Sequence, residues 1–192
     1  MQTDLLSRAR ALTGVRIADV VVKSRGFVLV RHLFAIAALP FVVAVLIPTW
    51  LARRNHIALA LGVTAPYVLA QIAGVCLLTI GLSLFVSSLR RFAGDGQGTL
   101  APWDPPRRLV VSGPYRYVRN PMISGVVFVL LAEALMLVSQ PHATWALTVF
   151  AVNAVYIPLF EEPQLKQRFG RSYIEYCEHV PRLVPRFRPE AY

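Results

Sequence analysis

The chain has 192 residues, 56% of them hydrophobic and 16% charged, with 20 Lys and Arg against 10 Asp and Glu for a formal net charge of +10. Soluble domains carry about 25% charged residues, and long apolar runs in a chain this size exclude both disorder and an ordinary water-soluble core, which leaves an integral membrane protein. The basic excess excludes a nucleic-acid groove by its distribution: charges gather at the ends of apolar runs, and no basic cluster is interleaved with base-stacking aromatics.

Residues 1–26 form a basic arm, with Leu5, Leu6, Ala9, Leu12 and Ile17 among arginines. This pattern suits a helix on a membrane surface or a flexible arm. No secretory leader is expected, because the first long apolar run begins only after Arg31 and lacks a cleavage site. Four apolar runs follow within a single membrane domain, 1–192, at about 27–50, 66–89, 122–139 and 143–160. Each is long enough to approach the roughly 20 residues of a spanning helix. Pro40 and Pro48 are expected to kink the first, the second holds no charge, and the third holds Glu133. In the second, Gly74, Gly81 and Ser88 recur every seven residues, a small-residue stripe that permits close helix approach, within one copy or in a homodimer. Lys and Arg in the successive connections number 6, 2, 6, 0 and 6. That alternation places both termini and the middle loop in the cytoplasm, as in a bacterial-type inner membrane.

The middle loop ends in Gly113-Pro114-Tyr115-Arg116-Tyr117-Val118-Arg119-Asn120-Pro121. Gly and Pro set a turn. Pro121 suits a first helical turn with Asn120 as N-cap, and such a helix end presents N–H groups to an anion. The same residues also make an ordinary interfacial helix cap. The fourth run ends in Glu161-Glu162, two carboxylates that oppose the helix dipole and require a positive partner. That partner is a protein cation, from Arg168, Lys166 or a loop arginine, or a cationic ligand. Glu133, alone inside a span, is a functional candidate or a helix-bonding group facing Asn153. In 161–192, Pro163 suits the start of a new helix. Leu165, Phe169, Tyr173, Tyr176 and Val180 then follow helical spacing, which predicts an amphipathic cytoplasmic helix ended by Pro181 and Pro185. The fold class is therefore all-α: a bundle of four transmembrane helices with a C-terminal amphipathic helix. Cys76 and Cys177 make no disulfide framework and read as packing thiols, and the four histidines show no metal-ligand spacing. No Ser-His-Asp order, phosphate loop or dinucleotide fingerprint is present, and Asp95-Gly96-Gln97-Gly98 is a turn.

Two stretches carry a resemblance. Gly113 through Gly125 resembles the loop and span entry of the isoprenylcysteine carboxyl methyltransferase family, of which phospholipid N-methyltransferases are relatives. Glu161-Glu162, Leu165, Phe169-Gly170, Tyr173, Tyr176 and Val180-Pro181-Arg182 are similar to its C-terminal signature almost position for position. The resemblance covers about residues 65 to 188. Asn120 stands where the family has histidine, Ile123 where it has tyrosine, and no arginine precedes the Glu pair as it does in eukaryotic members.

The resemblance implies a membrane methyltransferase using S-adenosyl-L-methionine, with a lipid-like or isoprenoid acceptor and no nucleic acid. It implies a cofactor site of Gly113, Pro114, Tyr115, Asn120, Pro121, Gly125, Glu161, Glu162 and Tyr173, with Glu162, Arg119 and Glu133 as catalytic candidates and no metal. Glu161 and Glu162 suit the cofactor's ammonium, Arg119 or the helix N-terminus suits its carboxylate, and Tyr115, Tyr117 and Tyr173 suit adenine. Two rival readings use the same residues. One is a sterol-reductase-like NADPH enzyme. The other is a non-catalytic membrane partner protein, which the departures at Asn120 and Ile123 would suit.

Overall fold

The computed structural model describes residues 39–59, 64–95, 108–186 and 188, and the expectations for the basic arm, the start of the first apolar run and the turn at 96–98 lie outside them. All regular structure among the described residues is helical. A π turn, Val42–Leu46, leads into α1 (Ile47–Arg54); α2 (Ala65–Asp95), α3 (Pro121–Met136) and α4 (Gln140–Tyr156) follow. A second π turn, Ile157–Glu161, runs directly into α5 (Glu162–Phe169), and α6 (Arg171–His179) closes the series. Two helices are long and apolar enough to cross a membrane, Ala65–Arg91 and Gln140–Phe169, while Pro121–Met136 is a shorter apolar helix.

The core of the membrane part is the contact between α2 and α3. A Cβ added at Gly81 would lie 2.8 Å from the Gly125 carbonyl oxygen, and one at Gly125 would lie 2.7 Å from that of Gly81. One at Gly74 would meet Met136 and the Ala132 carbonyl. The two helices therefore run antiparallel with backbones nearly touching, the geometry small residues allow. Gly74, Gly81 and Ser88 are all buried, and the two glycines of the stripe are used for the contact with α3 inside one chain.

One proline explains how the first π turn and α1 are tied to α4. In the π turn the Ile47 N–H bonds to Val42 O, five residues back. The next residue in that register, Pro48, has no N–H to give to Val43 O. The Trp145 indole donates to it instead, at 3.0 Å. Buried His142 joins the same pair of helices: Nε2 is 3.1 Å from Pro48 O and Nδ1 is 2.7 Å from Ser139 Oγ. A carbonyl only accepts, so Nε2 carries a proton and donates to Pro48 O.

Two boundaries differ from expectation. The helix does not restart at Pro163. Glu162 N–H bonds to Ile157 O, and the wider π spacing carries the chain past Pro158 and Pro163 as one continuous helix. The break falls seven residues later, at Gly170, whose φ of 58° and ψ of −131° suit glycine. The tail is consequently two short helices rather than one.

Gly125→Ala is expected to lower stability by about 1–3 kcal/mol through overpacking, read as a fall in detergent melting temperature, while Cys76→Ala on the exposed face of α2 leaves it unchanged. In a double-mutant cycle, Trp145→Phe should cost about 1–2 kcal/mol in the native background. It should cost less in Pro48→Ala, where a backbone N–H is restored for Val43 O.

Candidate functional site: a tail strapped over the middle loop

The site is assembled where the loop before α3 meets the tail after α6. Gly113 opens a 3-10 turn, Gly113–Arg116, at a φ of 59°. Its missing side chain leaves room for Arg91, whose Nε would be 3.1 Å from a Cβ there. The turn points Tyr115 inward, and Val118 and Pro121 are fully buried. Opposite, Tyr173, Tyr176 and Val180 form a buried cluster packed by Leu109, Val111, Leu165, Phe169 and Cys177. The Tyr176 hydroxyl donates to Tyr115 O at 2.7 Å. Burial, and the nearby Glu161 carboxylate, push the Tyr115 hydroxyl above the ordinary phenol range.

The stretch after α6 is laid along the loop like a strap. Arg119 N–H donates to Pro181 O at 2.8 Å, Asn120 N–H to Arg182 O at 3.2 Å, and Arg186 N–H to Tyr117 O at 3.0 Å. The Ser124 hydroxyl adds a bond to Leu183 O at 2.6 Å. These pairs satisfy backbone groups that would otherwise be lost to burial.

One carboxylate organises the side chains. Glu162 is 5% exposed. Arg182 grips it with both ends of its fork, Nε to Oε1 at 2.7 Å and Nη2 to Oε2 at 3.0 Å. Arg119 Nη1 reaches the same Oε1 at 2.8 Å and also Cys177 Sγ at 3.0 Å. Burial works against the charged form of Glu162, but the hydrogen bond from Arg182 and the charges of Arg119, Arg182 and Lys166 outweigh it and hold the carboxyl below its usual range. Beside the cluster lies an open groove of about 410 Å³, lined by Arg119, Cys177, Glu178, His179, Val180, Pro181 and Arg186. Arg119 Nε is buried and has no hydrogen-bond partner among the described residues.

The structure thus gathers Arg119, Asn120, Glu162 and, against Tyr115, Glu161. It separates or closes off others. Glu133 is twelve residues beyond Pro121 on the same helix, about 18 Å at 1.5 Å per residue, so it is not brought to the cluster. Nor does Asn153 meet it: the amide donates to Val149 O in its own helix, and Glu133 Oε2 is buried without a partner. Gly125 is a helix-contact residue facing Gly81, not part of the groove's lining. Tyr115 and Tyr173 are core residues with 9% and 2% exposure, which leaves no open face for adenine. Pro121 and Gly113 shape the turn and the helix start. Asn120 holds the N-cap position without capping; its side chain reaches Arg182 O at 3.4 Å. Arg182, Ser124 and Cys177 were not among the expected site residues. The adjacent carboxylates demanded a cation, but only the fold shows that two arginines, one from the loop and one from the tail, answer the demand.

Glu162→Gln is expected to remove on the order of 3 kcal/mol, chiefly because the mostly buried Arg119 guanidinium loses its counter-charge, the more exposed Arg182 contributing less. The pH dependence follows from the lowered carboxyl. This stability is fully present above the unfolded glutamate value of about 4.3 and is lost as pH falls through the lower folded value. Melting curves should therefore keep the native-minus-variant gap from pH 7 to 5 and close it only under stronger acid.

Residues 69–172, more than half of the chain, match the family described as phospholipid methyltransferase. Over 79 residues the chain is 39% identical to protein-S-isoprenylcysteine O-methyltransferase B of Arabidopsis thaliana. That stretch covers 41% of this chain and 40% of that relative, so the match spans less than half the relative's length. No solved structure matches the chain. The family range takes in most of α2, the loop, the α3–α4 pair and Glu162 and ends before Tyr173 and the strap, and on that match the chain belongs to the phospholipid methyltransferase family.

Proposed function

We propose that the protein is a membrane methyltransferase that takes its methyl group from S-adenosyl-L-methionine and passes it to a lipid-like or isoprenoid acceptor at the cytoplasmic face. The observation that carries this reading is the strapped cap, with its paired acidic and basic side chains and an adjoining groove, built at one end of apolar helices in a chain of this family. The 41% overlap with a relative named for isoprenylcysteine O-methylation supports the acceptor class. Four spans, with both termini and the middle loop cytoplasmic, remain the topology that the distribution of arginines favours.

The residues present fit such a donor. A volume of about 410 Å³ falls within the roughly 300–1,000 Å³ of small-molecule sites. The buried Arg119 Nε lacks an acceptor among the described residues, and a carboxylate is the group a guanidinium is suited to hold. Glu161, outside the Arg119–Glu162–Arg182 cluster, is the candidate partner for an ammonium. The donor, when bound, supplies an electrophilic methyl on a sulfonium. The chain's own part is to bind and orient: Arg119 fixes one end of the ligand, and the strap of 180–186 covers the loop and limits water. Asn120 has no basic nitrogen, and its amide is engaged with the strap. Proton removal from the acceptor therefore does not fall to it, and positioning provides the main assistance.

Isothermal titration of detergent-purified protein should show heat with S-adenosylhomocysteine and none with NADPH. Arg119→Gln should weaken that binding about tenfold, and labelled methyl from the donor should appear in an extract of native lipids. Heat with NADPH alone would favour a reductase, and binding of neither would favour the non-catalytic partner.

A further inference from the structure

Two arginines on one carboxylate are more than that carboxylate needs. Arg182 meets both oxygens of Glu162 through its fork, which is a complete carboxylate–guanidinium pair. Arg119 adds a single further bond to an oxygen already taken. The three side chains together carry a net charge of one positive unit, since two guanidiniums face one carboxylate. The surplus sits on Arg119: its side chain is 12% exposed, its Nε has no acceptor among the described residues, and its Nη1 shares its bond to Glu162 with a thiol, a weak acceptor. Arg119 also lines the groove.

We propose that Arg182 is a positioning residue: by occupying both Glu162 oxygens it keeps the Arg119 charge available to an anionic group in the groove. The inference rests on the reading that the groove takes the methyl donor, whose carboxylate is that group. Without the Arg182 fork, Arg119 is the cation still hydrogen-bonded to Glu162, with Lys166 acting through its charge alone, and Arg119 turns further from the groove to satisfy it. The strap itself does not depend on the Arg182 side chain, because Asn120 binds the Arg182 backbone carbonyl.

The test compares two probes by isothermal titration on the full chain in detergent. S-adenosylhomocysteine carries the carboxylate, and 5′-methylthioadenosine lacks the amino-acid end. Arg182→Gln is expected to weaken the first about tenfold and to leave the second within about twofold. Arg182→Lys, which keeps the charge but not the fork, should fall between native and Gln, and it carries the test if Arg182→Gln does not fold. An equal loss for both probes would make Arg182 merely structural and overturn the proposal, as would no loss for either. If the native protein binds neither probe, it is the assignment of the groove that fails, and this inference falls with it.

Discussion

A carboxylate removed from water must find positive charge and hydrogen bonds at hand, and Glu162 finds them only if the loop and the tail come together. Its two arginine partners lie 43 positions before it and 20 after it in the chain. Closing that pair of contacts draws the strap onto the loop, aligns backbone groups of residues 117–120 with those of 181–186, and shuts Tyr115 and Tyr176 into a common core. The cap is thus an electrostatic assembly before it is a hydrophobic one. Its excess of one positive charge lies beside the groove.

The membrane helices set where this assembly forms. The α2–α3 contact is close enough that glycine is required at the Gly81–Gly125 crossing, and this fixes the height at which α3 begins and hence the height of Asn120 and Arg119. The fourth helix is carried into the cap by a π turn. One extra residue in a turn rotates everything after it by about 100°, so the face that Glu162 presents is set by that turn and not by extrapolating the span. Proline acts at both π turns in the same physical way, by withholding an N–H. At Val43 the vacancy is filled by the Trp145 indole, which converts a defect in one helix into a tie to another.

Glu133 stands apart from all of this. It lies in the apolar part of α3, with one oxygen buried and unpartnered, and its distance from the cap separates it from Arg119 and Glu162. Asn120 is close to the cap's centre yet holds the strap. Asn120, one of the residues that depart from the family's usual pattern, therefore serves the scaffold in this chain, while Arg119 and Glu162 meet in the charged cluster.

Much was legible in the residues alone. The apolar runs, their terminal arginines and the small-residue repeat announced a helical membrane protein, and the two stretches around Arg119 and Glu162 stood out as the segments that the fold brings together. Composition and periodicity suffice for this because helices and spans are local consequences of sequence. The sequence could not reveal that Glu162 would pair with Arg182, that Gly125 would serve α2, that Tyr173 would be closed into the core, or that the last helix would pass Pro163 unbroken. Those outcomes depend on which distant groups the fold brings within about 3 Å, and spacing along a chain carries no information about distance across it. Only the tertiary structure could choose among several arginines for one carboxylate, because the choice is made by geometry and desolvation rather than by residue type.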